Sequence, residues 1–131
     1  MLFRSQPSRL ICLFGSVGER TQVRRRELGE VAAELADLSI LTSDNPGNED
    51  PMQIIDEIAA AFGNNRKAYI KIPDRTDAIR CAVSLLQKND ILVLAGKGHE
   101  EYQLIGREKI PFSERDIIKD VLESDPILLP N

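Results

Sequence analysis

Four short apolar runs separated by stretches of helical periodicity leave this chain few folds to choose from. Leu10-Ile11-Cys12-Leu13-Phe14 is continuously apolar, the pattern of a strand buried on both faces. Leu28, Val31, Ala32, Leu35 and Ala36 then recur at helical spacing, and a second strand follows over 38–42. Asp50-Pro51, an N-cap followed by proline at the first helical position, opens a helix that carries Ile55, Ile58, Ala59 and Phe62 on one stripe. The run 68–72 predicts a third strand, Ile79, Ala82, Val83 and Leu86 a third helix, and 91–95 a fourth and most hydrophobic strand. Segments 102–105 and 109–112 flank Gly106-Arg107-Glu108 as a hairpin. Ser113, with Asp116 three residues on, is a variant capping box for a last helix through Leu122. Such alternation predicts an α/β, Rossmann-like three-layer domain: a mostly parallel sheet between helices, right-handed crossovers and a C-terminal hairpin.

The chain has 131 residues, which fits a single domain, here expected over 9–124. Residues 1–8 read as a truncation scar or disordered start, because Met1–Ser5 matches the translated end of a common sequencing adapter; 125–131 read as a frayed tail. A net charge of -4 and a pI of about 5.1 argue against non-specific nucleic-acid binding, which needs a basic footprint. Arg24-Arg25-Arg26 runs locally against that sign. Cys12 and Cys81 lie in apolar runs without metal-ligand spacing, so a reduced, cytoplasmic protein is expected. Apolar runs of about five residues fall far short of the roughly 20 needed to cross a bilayer, so no membrane partner is expected.

The polar segments, glycine-bearing in all but one case, follow strands. They are Gly15-Ser16-Val17-Gly18-Glu19-Arg20, Ser43-Asp44-Asn45-Pro46-Gly47, Pro73-Asp74-Arg75 and Gly96-Lys97-Gly98-His99-Glu100. In open α/β sheets ligands bind beyond the carboxyl ends of the strands, so these loops define one candidate site. Polar loops are also what any such sheet displays; the coincidence of glycine, charge and the sole histidine favours a site. The first loop lacks the third glycine of a dinucleotide fingerprint. Gly96-Lys97 is followed by glycine where a P-loop places serine or threonine, so no triphosphate cradle is recognisable.

Arg20, Arg24 and Arg25 open the first helix, where the dipole disfavours cations. An anionic ligand, carboxylate or phosphate, would account for Arg20 and Arg25, and a solvated face for Arg26. Glu100 is either a surface carboxylate or an acceptor for a substrate ammonium. Asp44 is either an Asx turn or a second carboxylate for that ammonium. A lone His99 is more often structural than catalytic.

Asp44-Asn45-Pro46 followed by Glu49-Asp50-Pro51, with Asp74-Arg75, Gly96-Lys97-Gly98-His99-Glu100 and Tyr102-Gln103, resembles the carboxyl-terminal domain of the UDP-N-acetylmuramyl-tripeptide synthetases in the Mur ligase family. The resemblance runs from about Leu10 to Leu122. It implies one domain of an ATP-dependent ligase, inactive alone, that adds an amino acid to UDP-N-acetylmuramoyl-L-alanyl-D-glutamate through an acyl phosphate. ATP, Mg2+ and the dipeptide would be held by a central domain outside this chain, and the protein would be a monomer. On the same resemblance Arg20 grips the carboxylate of the incoming amino acid, and Asp44, Asn45, Pro46 and Gly47 read its side-chain end. Gly96, through its carbonyl, and Glu100 hold an ammonium. Arg24 and Arg25 contact nucleotide or acyl phosphate, while Lys97 and His99 belong to the motif without an assigned step. No residue here is expected to be catalytic or to bind metal.

Several positions depart from that pattern. Enzymes of this type that add meso-diaminopimelate read D-N-P-R, whereas Gly47 here offers no guanidinium, so L-lysine is the expected amino acid. Val17, Thr21 and Arg26 replace a usual glycine, aspartate and proline, and the family's tyrosine-alanine-histidine segment upstream of the first strand is missing. Two other readings stand beside this one: a free-standing α/β module for an amino acid or nucleotide, and a domain from another branch of the superfamily.

Overall fold

A computed structural model describes residues 8–16, 22–63, 67–96 and 100–124. In chain order the elements are β1 (Leu10–Phe14), α1 (Gln22–Leu35), β2 (Leu38–Leu41), α2 (Pro51–Ala60), β3 (Ala68–Lys71), α3 (Arg75–Leu85), β4 (Ile91–Leu94), β5 (Tyr102–Ile105), β6 (Glu108–Pro111) and α4 (Glu114–Ser124). β1–β4 form a parallel sheet in the order β3-β2-β1-β4, and β5 and β6 pair as an antiparallel hairpin. The expected three-layer architecture is therefore present, with strand boundaries within a residue of those read from the apolar runs.

Alternation along the central strands sorts the core into two halves. Phe14 and Leu41 point to one face and pack with Ala32, Ala33, Ile54, Ile55, Ile58 and Phe62 of α1, α2 and the turn that follows. Ile11, Leu13 and Ile40 point to the other, against Ala78, Ile79, Ala82 and Val83 of α3 and Val121 of α4. Each buried aliphatic side chain of this kind contributes about 1.5–3 kcal/mol relative to exposure.

The caps expected at Asp50 and Ser113 form, and Asp74 adds a third. The Asp50 carboxylate accepts from the Met52 N–H (3.0 Å) ahead of Pro51, and Asp74 accepts from the Asp77 N–H (3.0 Å) at the start of α3. Asp116 N–H donates to the Ser113 hydroxyl (3.2 Å) at α4. One expectation is met only in half. β1 is fully buried toward α3 and α4, but Leu10 and Cys12 are half-buried on the opposite face. There α1 leaves an open apolar groove beside β4, so Val31 and Leu35 of the α1 stripe are exposed, as are Ile91 and Val93 of β4. Both cysteines are free thiols, and burial pushes that of Cys12 up.

Candidate functional site at the carboxyl edge of the sheet

Because β1–β4 are parallel, the loops leaving them emerge at one edge, and their backbones approach each other closely. Gly15, directly after β1, lies against the next loop: a Cβ there would sit 2.3 Å from the Thr42 carbonyl oxygen and 2.8 Å from Asp44 N. Only glycine permits that approach. The loop after β2 is buried from Thr42 to Gly47 despite its polarity, so its groups need partners within the protein.

The hairpin supplies several of them. Gln103 donates to the Asp44 carbonyl (3.0 Å), and Leu104 N–H donates to Asn45 Oδ1 (2.9 Å). Gly47 N–H donates to the Leu104 carbonyl (3.1 Å) and Gly106 N–H to the Gly47 carbonyl (2.5 Å), a parallel bridge that stitches the loop to β5. Gly47 has φ +61, in the left-handed region that glycine occupies without strain. Sequence reading placed 102–112 as a separate hairpin; its role as a wall of this loop was legible only in three dimensions.

The loop after β4 meets this segment at two carboxylates. Asp44 is 5% exposed, and its Oδ2 lies 3.0 Å from where a Cβ on Gly96 would be. Asn45 Nδ2 donates to Glu100 Oε1 at 3.5 Å. Asn45 thereby links the hairpin on one side to Glu100 on the other, and the β2 loop meets the β4 loop at two places, Asp44 against Gly96 and Asn45 against Glu100. Pro46 and Gly47 complete the buried loop beside them. Paired carboxylates at a loop edge suit an ammonium group, which could donate to both.

The basic residues divide. Arg24 is exposed on the first turns of α1. Arg25 is 1% exposed and turned inward, with Nη2 on Glu49 Oε1 at 2.7 Å and Nη1 on Glu57 Oε2. Those two carboxylates, from the β2–α2 connection and from α2, offset the dipole penalty that made an anionic ligand attractive for Arg25. They also keep its guanidinium pKa raised against the opposing effect of burial. Arg20, Lys97 and His99 lie outside the described residues.

Arg75 stood in one of the loops expected at this edge and in the motif string, but with no role assigned. It is 1% exposed at the start of α3 and donates to the Ser43 carbonyl (2.9 Å), the Ala95 carbonyl (3.0 Å) and Glu114 (3.2 Å). The signal that singled out Arg20, a cation at a helix amino terminus just after a strand, was equally present in Asp74-Arg75. Gln103 stood in the Tyr102-Gln103 string of the resemblance, likewise without a role.

Residues 2–98 match the family model described as Mur ligase, glutamate ligase domain. The chain is 48% identical over 117 residues, 89% of its length, to a protein of Caldanaerobacter subterraneus subsp. tengcongensis, of which this is 24%. It is 49% identical over 122 residues, 93% of its length, to one of Chlorobium phaeobacteroides, of which this is 23%. Both relatives are named UDP-N-acetylmuramoyl-L-alanyl-D-glutamate--2,6-diaminopimelate ligase. A solved structure of a protein of that name superposes with a TM-score of 0.82 at 34% identity, covering 90% of this chain and 24% of the other. The chain thus spans about a quarter of the length of the relatives it matches.

Proposed function

This chain belongs to the Mur ligase family, and on that premise we propose that it forms the amino-acid-binding domain of an ATP-dependent ligase. That ligase extends UDP-N-acetylmuramoyl-L-alanyl-D-glutamate by one amino acid in peptidoglycan synthesis. The observation that carries the reading is the convergence of Asp44, Asn45, Gly96 and Glu100 from two strand-terminal loops onto one edge. Asp44 and Glu100 hold the substrate's ammonium, with the Gly96 carbonyl beside them. Asn45, Pro46 and Gly47 shape the wall met by the side chain. Arg20 takes the carboxylate, and Arg24, exposed on α1, is available to phosphate when the ligase closes. Arg25, already paired with Glu49 and Glu57, acts by holding the loop to α1 and α2.

In this ligase the carboxylate of the muramoyl dipeptide is activated by phosphoryl transfer from ATP with Mg2+, both held outside this chain. The domain's residues bind and orient the amino acid so that its amino group reaches the acyl phosphate. Positioning of that kind turns a bimolecular attack into an effectively unimolecular one. The chain alone, without the rest of the ligase, is inactive.

The amino acid we assign is 2,6-diaminopimelate, supported by the names of the relatives. L-Lysine is the second reading, and a specific observation favours it: residue 47 is glycine, and its N–H is engaged by the Leu104 carbonyl. Neither its side chain nor its backbone N–H offers a donor to a distal carboxylate, and a buried carboxylate without a partner is costly. The complete ligase, supplied with ATP, the muramoyl dipeptide and equal amounts of both amino acids, discriminates between the readings. Preferential incorporation of diaminopimelate, measured by product mass, is expected. Clear preference for lysine overturns the assignment in favour of the second reading, and incorporation of neither overturns the ligase reading.

A further inference from the structure

We infer that Arg75 is a positioning residue that sets the spacing of the two loops holding the ammonium, and so tunes the affinity for the amino acid. The inference rests on the functional reading above but concerns a residue outside the pocket it defines. Arg75 stands at the first position of α3, under the carboxyl edge of the sheet. Its Nη1 donates to the carbonyl of Ser43, the residue before Asp44, and its Nη2 to the carbonyl of Ala95, the residue before Gly96. Its Nε and Nη2 both lie 3.2 Å from Glu114 Oε2, at the start of α4.

One planar cation thus joins the β2 and β4 loops one residue upstream of each ligand-facing position. The guanidinium is rigid, so the two carbonyls are held at a separation fixed by its own nitrogens. That separation in turn places the Asp44 carboxylate against Gly96. Ser43 Oγ, donating to the Pro73 carbonyl at 2.7 Å, ties the same loop to the segment that carries Arg75.

Lysine cannot reproduce this. Its ammonium is a point donor at the end of a flexible stem, able to satisfy one carbonyl well but not to hold two apart. Glu114 acts differently, by neutralising the charge of a side chain with 0% exposure. Removing its charge leaves the spacing element in place, so the effect is smaller.

The test is kinetic, in the complete ligase, with four variants: Arg75→Lys, Glu114→Gln, and Asp44→Asn and Glu100→Ala as reporters of the pocket. Arg75→Lys is expected to raise KM for the amino acid about tenfold or more, the loss of roughly one charge-assisted hydrogen bond. KM for ATP and for the muramoyl dipeptide should stay within about twofold, a split that a general loss of folded protein would not produce. Glu114→Gln should raise the amino-acid KM in the same selective way, by about two- to fivefold. Should Arg75→Lys fail to fold, the selectivity of Glu114→Gln decides the matter. If Asp44→Asn and Glu100→Ala raise the amino-acid KM while Arg75→Lys leaves it unchanged, or raises all three constants alike, the positioning role is overturned and the pocket stands. If the two pocket variants themselves leave it unchanged, the functional reading falls first.

Discussion

At the scale of single residues, the site is built from polar groups that protein partners hold in place. Asn45 is the clearest case: one amide end accepts from Leu104 N–H and the other donates to Glu100, so a side chain expected to face substrate also fixes the wall around it. Gly47 is the second case. At φ +61 it carries the β2 loop into its bridge with the hairpin. A residue with a Cβ pays about 1–2 kcal/mol in that region. Gly47→Ala should therefore lower stability by about 1 kcal/mol, visible as a lower urea midpoint with an unchanged slope. An unchanged midpoint would show that the loop does not require the left-handed conformation.

Asp44, Asn45 and Glu100 were legible in the sequence as candidates: Asp44 and Glu100 by type and place after a strand, with structural readings left open, and Asn45 by the family resemblance alone. Arg25 was legible only as a cation in an awkward position. What relieves it, Glu49 and Glu57, lies 24 and 32 residues away along the chain. Pairings at such separations have no periodicity to betray them.

At the scale of elements, strands and helices declared themselves through spacing, and the sheet's parallel order followed from alternation. What spacing could not tell is which elements lie at an edge. β4 is the most hydrophobic run, yet Ile91 and Val93 are exposed because nothing described covers that side of the sheet's border. Edge position also explains how the border is held. Arg9, just before β1, pairs with Asp90, just before β4, through Nε and Nη2, while Asp90 also accepts from Gln87 N–H at 2.8 Å.

These contacts, Arg9 first among them, hold the Asp90 carboxyl down to about 2 from an ordinary 3.8. A depressed carboxylate pKa means that its stabilising effect is complete above the unfolded value and drains as pH falls toward the folded one. The stability difference between the natural protein and Asp90→Asn should thus be constant from neutrality to about pH 5 and shrink between about pH 4 and 2. Urea unfolding at a series of pH values checks this. A difference that persists unchanged at pH 2 would contradict the pairing.

At the scale of the whole molecule, a parallel sheet gathers four loops at one end, and a hairpin, a buried guanidinium and a close glycine contact lock them together. The fold class could be read before any coordinates because it depends on local pattern alone. How the β2 loop is held needed the structure, since its partners come from β5 and from Arg75, each far along the chain from Asp44. Among the described residues no helix is long and apolar enough to cross a membrane. The relatives it matches are about four times as long, and in the ligase we propose the amino acid held at this edge meets an activated carboxylate. The most direct test is a crystal structure of the complete ligase with its amino acid bound. The account predicts an ammonium of that amino acid within about 3 Å of carboxylate oxygens of both Asp44 and Glu100. An amino acid seated away from both carboxylates, with the ligase active in the same crystals, would contradict it.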